Sequence, residues 1–498
     1  NGDLTLNAGA TTVMQIDGPT PGDGYDQINV SGSATLAGTL DLRFGFVPTS
    51  GSVFNLIEAG SLVLAGDPQT GFNPITENLS SNLGAALRVM PVVDAGSFDI
   101  LIQQLSFIEA SGGTLASNQR SVAANLDSFS TSGRGAALFG ELNLLSAGEL
   151  PGAFDSLSGA QHAHTRPLIA QASRQFMRVL GDRLNWEAPA SNTAANRFGN
   201  ITLAYNGGDI ASLFGAPVSG KPASNLWLRA MGGFGDIDGD GNAAGADYNS
   251  SGMALGYDRE VRDGLLAGMA FGFTRSDVDV AAGNTGVDSY QLAAYGRQQW
   301  ADNYLAASLG IGRHRADSTR QIRFGGFSEV ARADYATDGL GLALEAGRHY
   351  ALSAASWATP FAGLEYGYSR RHGYQESGAG DANLRFAADG MDSLRSLLGA
   401  RLDAALTAAD GTRLDTAVGL SWAHEFMDRG APLNPAFAVN GNVPFKISGP
   451  ASGRDHLLAT LGARVRLGRT ARLELDYSGE FAESERQHAV SATFRMEW

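Results

Sequence analysis

Twelve residues from Asp236 to Asp247 read Asp-Ile-Asp-Gly-Asp-Gly-Asn-Ala-Ala-Gly-Ala-Asp. Asp236, Asp238, Asp240 and Asp247 put oxygen donors at loop positions 1, 3, 5 and 12, with glycine at 6. That spacing wraps a calcium ion, except that Asp stands where a bidentate Glu is usual. No helices flank it, so an external hairpin loop is the expectation and a weak Ca²⁺ site the alternative. His162 and His164 lie two apart, which on a helix turns them to different faces and argues against a shared metal. His424-Glu425 lacks the second His of a zinc-protease helix. No Gly-x-Ser-x-Gly elbow occurs, and Asp155-Ser156-Leu157 lacks the preceding Gly of a lipase-type block. A phosphate-binding Gly-Lys-Ser/Thr loop is also missing. These motifs lead to the expectation of no catalytic residue, no resident metal and no cofactor.

Composition narrows the elements that must carry any function. The chain has 498 residues, 43% of them hydrophobic and only 17% charged, with 65 glycines. Soluble domains usually carry roughly 25% charge. The net charge of −15 argues against a nucleic-acid partner, which needs basic patches to neutralise phosphates. Cysteine is absent, so disulfides and thiolate metal sites are impossible. There is no apolar run long enough for a transmembrane helix. A membrane β-barrel stays open, because alternating strands dilute the hydropathy signal. Asn1 opens in mid-pattern with no basic-apolar leader, so the sequence reads as a piece of something longer.

Three regions follow. Residues 1–105 read as short strands (4–6, 27–30, 35–44, 53–57, 97–102) separated by Gly, Asp, Asn, Pro and Ser turns. A sandwich or a solenoid fits, and the coil-like Gly32–Leu40 stretch favours the solenoid. Residues 106–190 switch to helical period, with helices expected at 119–126, 136–145 and 166–184. The third has Thr165 as cap and Pro167 in its first turn. Leu168, Ala172, Phe176, Val179 and Leu180 form its stripe, with Arg174, Arg178 and Arg183 spread around it. Residues 191–224, rich in Ala, Asn, Gly, Ser and Pro, read as a flexible connection.

Residues 225–498 carry the strongest pattern. Twelve segments of alternating polarity fall near 225–235, 249–259, 264–275, 287–299, 303–315, 333–347, 358–370, 391–406, 412–427, 454–467, 471–482 and 486–498. Each is about the ten residues that a tilted strand needs to cross a bilayer. Val490, Ala492, Phe494, Met496 and Trp498 share one face, and Ser491, Thr493, Arg495 and Glu497 the other. Leu473, Leu475 and Tyr477 oppose Glu474, Asp476 and Ser478. One greasy face and one wet face result. A soluble sheet would alternate too, but no helices follow that could cover its apolar side. Tyr257, Trp300, Tyr304, Tyr350, Trp357, Trp422 and Trp498 gather near strand ends like interfacial girdles. Short turns (260–263, 300–303, 407–411, 468–470) alternate with long loops (236–248, 276–286, 316–332, 371–390, 428–453). This is the outer-membrane pattern.

Asn225-Leu-Trp-Leu-Arg-Ala, Gly256-Tyr-Asp-Arg, Thr359-Pro-Phe-Ala-Gly-Leu-Glu-Tyr, Trp422-Ala-His-Glu-Phe and the aromatic C-terminus resemble the translocator barrel of type V autotransporters. Ser117-Asn-Gln with Leu126-Asp, then Leu157-Ser-Gly-Ala-Gln-His-Ala, resembles their helical linker. Gly24-Tyr-Asp-Gln-Ile-Asn-Val-Ser-Gly resembles the last rungs of their β-helical passengers. Two features depart from the pattern: Trp498 stands where Phe is usual, and 187–224 is longer than a typical connection.

The resemblance implies an all-β fold: a twelve-stranded antiparallel transmembrane barrel with a helix through the pore, preceded by the end of a right-handed parallel β-helix. It implies a monomer in the outer membrane of a Gram-negative bacterium, with its passenger on the cell surface. The implied partners are outer-membrane lipid, the barrel-assembly machinery, periplasmic chaperones and the chain's own passenger. Phe494, Met496 and Trp498 would serve as the insertion signal. Pore-helix Arg174, Arg178 and Arg183 would pair with lumen carboxylates chosen by parity from Asp258, Glu345, Glu365, Asp415, Glu425, Glu474 and Asp476, with Arg464 also facing inward. Gly268, Gly272, Gly310, Gly312, Gly399 and Gly462 would leave room for the helix. Self-cleavage at an Asn pair, known in part of the family, does not carry over, because Trp186 follows Asn185. With no ATP outside the inner membrane, folding of 1–105 around Ile28, Val30, Leu40 and Phe54 would help draw the chain outward. The alternatives are an adhesin or autoaggregation protein, or the membrane anchor of a surface hydrolase whose catalytic domain lies upstream.

Overall fold

The computed structural model describes residues 2–78, 83–130, 133–185, 224–407, 413–427, 432–441, 443–451, 453–467 and 471–497. The alternating region forms twelve antiparallel strands, as its period predicts: β1 (Ser224–Ile237), β2 (Ala246–Arg262), β3 (Leu265–Val280), β4 (Gly283–Trp300), β5 (Asn303–Phe324), β6 (Phe327–Arg348), β7 (Ser356–Arg371), β8 (Asp389–Thr407), β9 (Arg413–Glu425), β10 (Asp455–Leu467), β11 (Ala471–Phe481) and β12 (Glu485–Glu497). Each pairs with the next, and β12 pairs back onto β1 from Asn225↔Glu497 to Ile237↔Glu485. The ring is therefore closed and has no free edge along it, as a hydrocarbon environment requires. The short strand Tyr350–Ser353 folds onto one end of β7.

Period-two alternation fixes which side faces what. Leu475, Val490, Phe494 and Met496 stand on the outer wall, 54%, 54%, 43% and 36% exposed. Their neighbours of opposite parity, Glu474, Thr493 and Arg495, are buried in the bore. Trp300, Tyr350 and Trp422 are exposed on the outside near strand ends. Tyr304 departs from the expected girdle: it points inward, is buried, and donates from its hydroxyl to Glu345 at 2.7 Å. One step of parity separates it from the outward Leu305.

Two of the expected long loops are strand. β3 and β4 stay paired out to Val280↔Gly283, and β5 and β6 out to Phe324↔Phe327. Beyond the bilayer the outer face need not be apolar, so Asp277, Asp279, Arg315 and Asp317 continue the ladder without the alternation that marks its membrane part. Gly325, at φ +50°, lets the second hairpin turn in two residues. Segments 372–388 and 426–454 remain long connections, while the opposite mouth carries tight turns at 263–264 and 301–302.

Above the elongated mouth lie four short helices, α1 (Phe107–Ala110), α2 (Ser117–Asp127), α3 (Ala136–Leu142) and α4 (Leu150–Ser158). Phe107, Leu126, Phe139, Phe154 and Leu157 form one core with Phe324 and Tyr335 from β5 and β6, and with Tyr374, Phe386, Phe437 and Ile447 from the long connections. These connections contribute a small antiparallel sheet of Tyr374–Gln375, Leu384–Phe386 and Pro435–Phe437. Asn118 ties the cap down, donating from Nδ2 to the Ser448 carbonyl at 2.8 Å.

Residues 2–78 stack parallel strands in two sheets: Leu4–Thr5, Ile28–Leu36 and Val53–Leu64 in one, and Thr11–Ile16, Thr39–Phe44 and Ile75–Asn78 in the other. Ile16, Leu40, Leu42, Phe54 and Leu56 fill the space between them. The stacking does not continue to residue 105. Ser97–Gln104 runs antiparallel to both Val53–Leu64 and Leu87–Val93, closing the stack where another parallel rung would leave an open edge.

Helix α5 (Gln161–Asn185) then enters the bore. It starts earlier than Thr165. Gly159, at φ +66°, ends α4, and α5 follows after one further residue, so Thr165 and Pro167 both lie within the helix. The Thr165 hydroxyl accepts from Tyr335 at 2.9 Å instead of capping. Residues 191–223 of the expected connection, and Trp498, lie outside the described residues.

Candidate functional site

The site is the bore together with α5. At about 1.5 Å per residue, the helix's 25 residues exceed the roughly 30 Å hydrocarbon thickness. Its apolar stripe, Phe176, Val179, Leu180 and Leu184, packs on Trp227, Ala254, Ala270, Ala293, Tyr295 and Ala306 of β1–β5. Glycines allow the approach at two points. A Cβ on Gly272 would lie 2.6 Å from the Phe176 ring, and one on Gly310 would lie 3.2 Å from the Met177 sulfur. Gly268 instead makes room for Asp258 and Tyr295, Gly399 for Ser421 and Phe361, and Gly312 for His314.

Ion pairs fix the helix along its length. Near its end, Arg183 grips Asp258 through Nε at 2.8 Å and a terminal nitrogen at 2.6 Å. Asp258 also accepts from Asn225 at 2.9 Å and from Tyr295 at 2.8 Å, so a fully buried carboxylate has all its partners. Arg297 donates to the Leu184 carbonyl, a cation on the helix's negative end. Mid-bore, Arg178 pairs with Glu480, which also receives Arg395 at 2.8 Å and His456 at 3.0 Å. Arg174 faces the same group of Arg395, Glu480 and Glu485. One turn from Arg178, Asp182 holds Arg229 at 2.9 Å, and Arg229 reaches Asp476 at 3.1 Å.

At the cap end, Arg166 pairs with Asp389, which Arg371 contacts at 3.0 Å. His162 meets Glu376 at 2.9 Å, and Arg320 donates from Nε to the same carboxylate at 3.0 Å. Burial pushes the Glu376 carboxyl up, but the Arg320 guanidinium and His162 override it and hold it at about 2. His164 turns away, within 3.1 Å of the Ala244 carbonyl, so the two histidines share no ligand.

The remaining expected lumen residues form pairs within the wall. Glu345 binds Arg401 at 2.6 Å, Arg464 binds Glu474 at 3.0 Å, and Asp415 binds Arg413 at 2.7 Å. Glu425 accepts from Ser393 at 2.6 Å and from the Leu394 amide at 3.0 Å. Glu365 lines the bore within the electrostatic reach of Arg178 and Arg395. Glu480, Arg395, Arg401, Asp182 and Glu376 were not among the sequence candidates. Glu480 has the parity of Glu474 and Asp476 and was legible on that ground. The others depend on which strands face which turn of α5.

The calcium-like loop does not converge. Asp240 accepts from the amides of Asn242 at 3.0 Å and Ala243 at 2.9 Å, closing its own turn. Asp236 and Asp238 lie 3.6 Å and 3.7 Å from Arg486, and Asp247 stands across the ladder from Asp236. Among the described residues no group of three or more metal-ligating side chains occurs.

Comparison with known proteins agrees with this geometry. An extracellular serine protease of Serratia marcescens is 28% identical over 70% of this chain, and outer membrane protein B of Rickettsia prowazekii is 27% identical over 44%. The chain spans 31% of the first and 14% of the second. The translocator domain of the autotransporter NalP from Neisseria meningitidis shares the fold at 16% identity. It covers 67% of this chain and 98% of its own, with a TM-score of 0.50. Residues 226–478 match the family model of the autotransporter beta-domain, and with more than half of its length accounted for, the chain belongs to that family of outer-membrane β-barrels.

Proposed function

We propose that this chain is the translocator end of a longer autotransporter: it closes as a barrel in the outer membrane, passes its own N-terminal passenger to the cell surface, and keeps it anchored through α5. One observation carries the reading. A single chain threads its own bore, with residues 2–105 beyond one mouth and Leu184 and the start of β1 at the other. Residues 1–105 would be the end of the passenger, 106–190 the linker with α1–α4 capping the mouth, 191–224 the connection and 225–498 the barrel. Arg178 and Arg183 would hold the helix after export, with Arg174 tuning the mid-bore charge.

The barrel-assembly machinery and periplasmic chaperones would receive the chain through its last strand, where Phe494 and Met496 face outward. A protease and an outer membrane protein both share this region, which supports reading it as a carrier common to different passengers and without catalysis of its own. Removing residues 161–185 should turn a nearly closed pore into a wide one in single-channel recordings. Arg178→Ala combined with Arg183→Ala should do so in part. Conductance unchanged in both variants would remove the plugged-pore reading.

A further inference from the structure

α5 does not sit on the axis of the bore. Its contacts run along β2–β6, where Phe176 and Met177 lie against Gly272, Gly310 and Gly341. Across from it, a cavity of about 160 Å³ opens between the helix and β7–β12, with residues of β1, β5 and β6 at its edges. A second, of about 90 Å³, continues the same side towards the cap, between α5 and residues of β8, β10 and the 449–453 segment. Between them stands the Arg178–Glu480–Arg395 group.

The chemistry of the two walls differs. The helix-bearing wall, with Trp227 of the adjoining β1, presents apolar and aromatic groups, Ala270, Ala293 and Tyr295, that fit one particular stripe. The far wall mixes small and hydroxylated residues, Gly419, Ser421, Thr460 and Ser478, with charged Glu365, Arg401 and Asp476 around the cavity. Hydroxyl and charged groups over small side chains offer hydrogen bonds to an extended backbone rather than a match to one apolar stripe. A wall of that kind suits an unfolded polypeptide of changing sequence sliding past.

We propose that the passenger passes outward as a hairpin, with the β7–β12 wall as the track for its moving leg and the β2–β6 wall holding the stationary leg that ends as α5. The occupant is the chain's own extended passenger, so the inference rests on the export reading and adds which half of the ring does the conducting. The charged group around Glu480 would then part to let the leg through and close on Arg178 when the helix seats.

The absence of cysteine makes a direct test simple. A ligand-clamped folded domain fused ahead of residue 1 stalls export with the first residues of this chain in the bore. Thr5→Cys or Thr12→Cys in that leg is then paired with Ser421→Cys, Thr460→Cys or Ser478→Cys on the far wall, or with Ala270→Cys or Ala293→Cys on the near wall. The pairs are joined in cells with a short bis-maleimide. Cross-links from the far wall should exceed those from the near wall severalfold. Equal yields, or an excess at Ala270 and Ala293, would overturn the assignment while leaving export intact. The same fusion without its ligand is scored for surface display, and if it never reaches the surface the export reading itself fails. Barrel closure of each cysteine variant, read by heat-modifiable gel mobility, separates misfolding from both outcomes.

Discussion

Residues 2–105 and the barrel share one sequence rhythm and put it to opposite uses. In the first, the apolar members of each alternation point at one another: Ile16, Leu40, Leu42, Leu56 and Phe98 are fully buried. In the second they point outward, and Leu398, Leu461 and Leu475 are more than half exposed. What separates the two is the polar face. The barrel's polar face carries Arg229, Asp258, Arg395, Arg464, Glu474 and Glu480, which no solvent-facing sheet needs in such number and which pair with one another or with α5. The outward positions of the N-terminal segment are mostly small and neutral, such as Asn29, Ser33 and Thr39, and a pair such as Asp41 and Arg43 stands at its surface. Alternation thus reports two faces, and the charge content of the wet face reports whether it lines a bore.

The largest expected effect falls where the two parts of the barrel machinery meet. Asp258→Ala removes the buried carboxylate that grips Arg183, and breaking a buried pair from one side costs about 3–5 kcal/mol. The expected result is a loosened helix, seen as a rise in open-channel events, together with a lower unfolding temperature of the barrel. A variant with wild-type conductance and mobility would show that the apolar stripe alone retains α5.

The two regions can then be set against each other by one kind of change. Phe54→Ala empties a site enclosed by both sheets of the N-terminal segment and should cost about 3–5 kcal/mol. It should unfold that segment to proteolysis and slow surface display, with the barrel still closed. Leu475→Arg, on the lipid face, should cost about 2–4 kcal/mol in the bilayer and reduce barrel assembly. Val63→Arg, at an exposed apolar position of the N-terminal segment, should stay within about 0.5 kcal/mol. If Leu475→Arg proved as silent as Val63→Arg, the outer wall would not face hydrocarbon.

Acid sharpens the comparison at the cap. The folded Glu376 carboxyl sits at about 2, against an ordinary value of 4.5. A depressed carboxyl contributes stability that is complete above about 4.5 and is lost as pH falls towards 2, of order 3 kcal/mol in all. Segment 372–388 should therefore open to hydrogen exchange over that window, before the membrane strands do. Glu376→Gln should remove the pH dependence and leave the segment loose throughout. Simultaneous loss of cap and barrel would mean the two are one cooperative unit.

Much of this is legible in the sequence. Leu473 and Leu475, Phe494 and Met496 gave the outer face because period two leaves only one choice once Arg495 and Glu474 share the other side. Arg183 and Asp258 were named separately, each from the face it occupies. Their pairing was not, because it depends on how α5 is rotated and which strand it leans on. Glu376 with Arg320 and His162 was invisible for a related reason: those positions are brought together by a long connection folding over the mouth, and no local pattern records that. The extended hairpins at 276–286 and 316–332 read as loops because their outer face is polar, and their apolar members, such as Val278, Ala316 and Ile322, turn inward to the cap core, opposite to the membrane part.

The smallest effect tests the contact between wall and helix most finely. Gly272→Ala puts a methyl 2.6 Å from the ring of Phe176, which is buried among Val179, Leu180 and the wall residues. The ring has nowhere to rotate, so about 1–3 kcal/mol of overpacking is expected, with α5 shifted towards the far wall. Gly310→Ala meets only the Met177 sulfur at 3.2 Å, at the edge of the open side of the bore. A thioether with three rotatable bonds swings away at little cost, so stability should stay within about 0.5 kcal/mol of the parent. Thermal unfolding of the pair in one detergent decides between them. Equal destabilisation would mean that Met177 is as fixed as Phe176 and that the helix is held on both sides of its stripe.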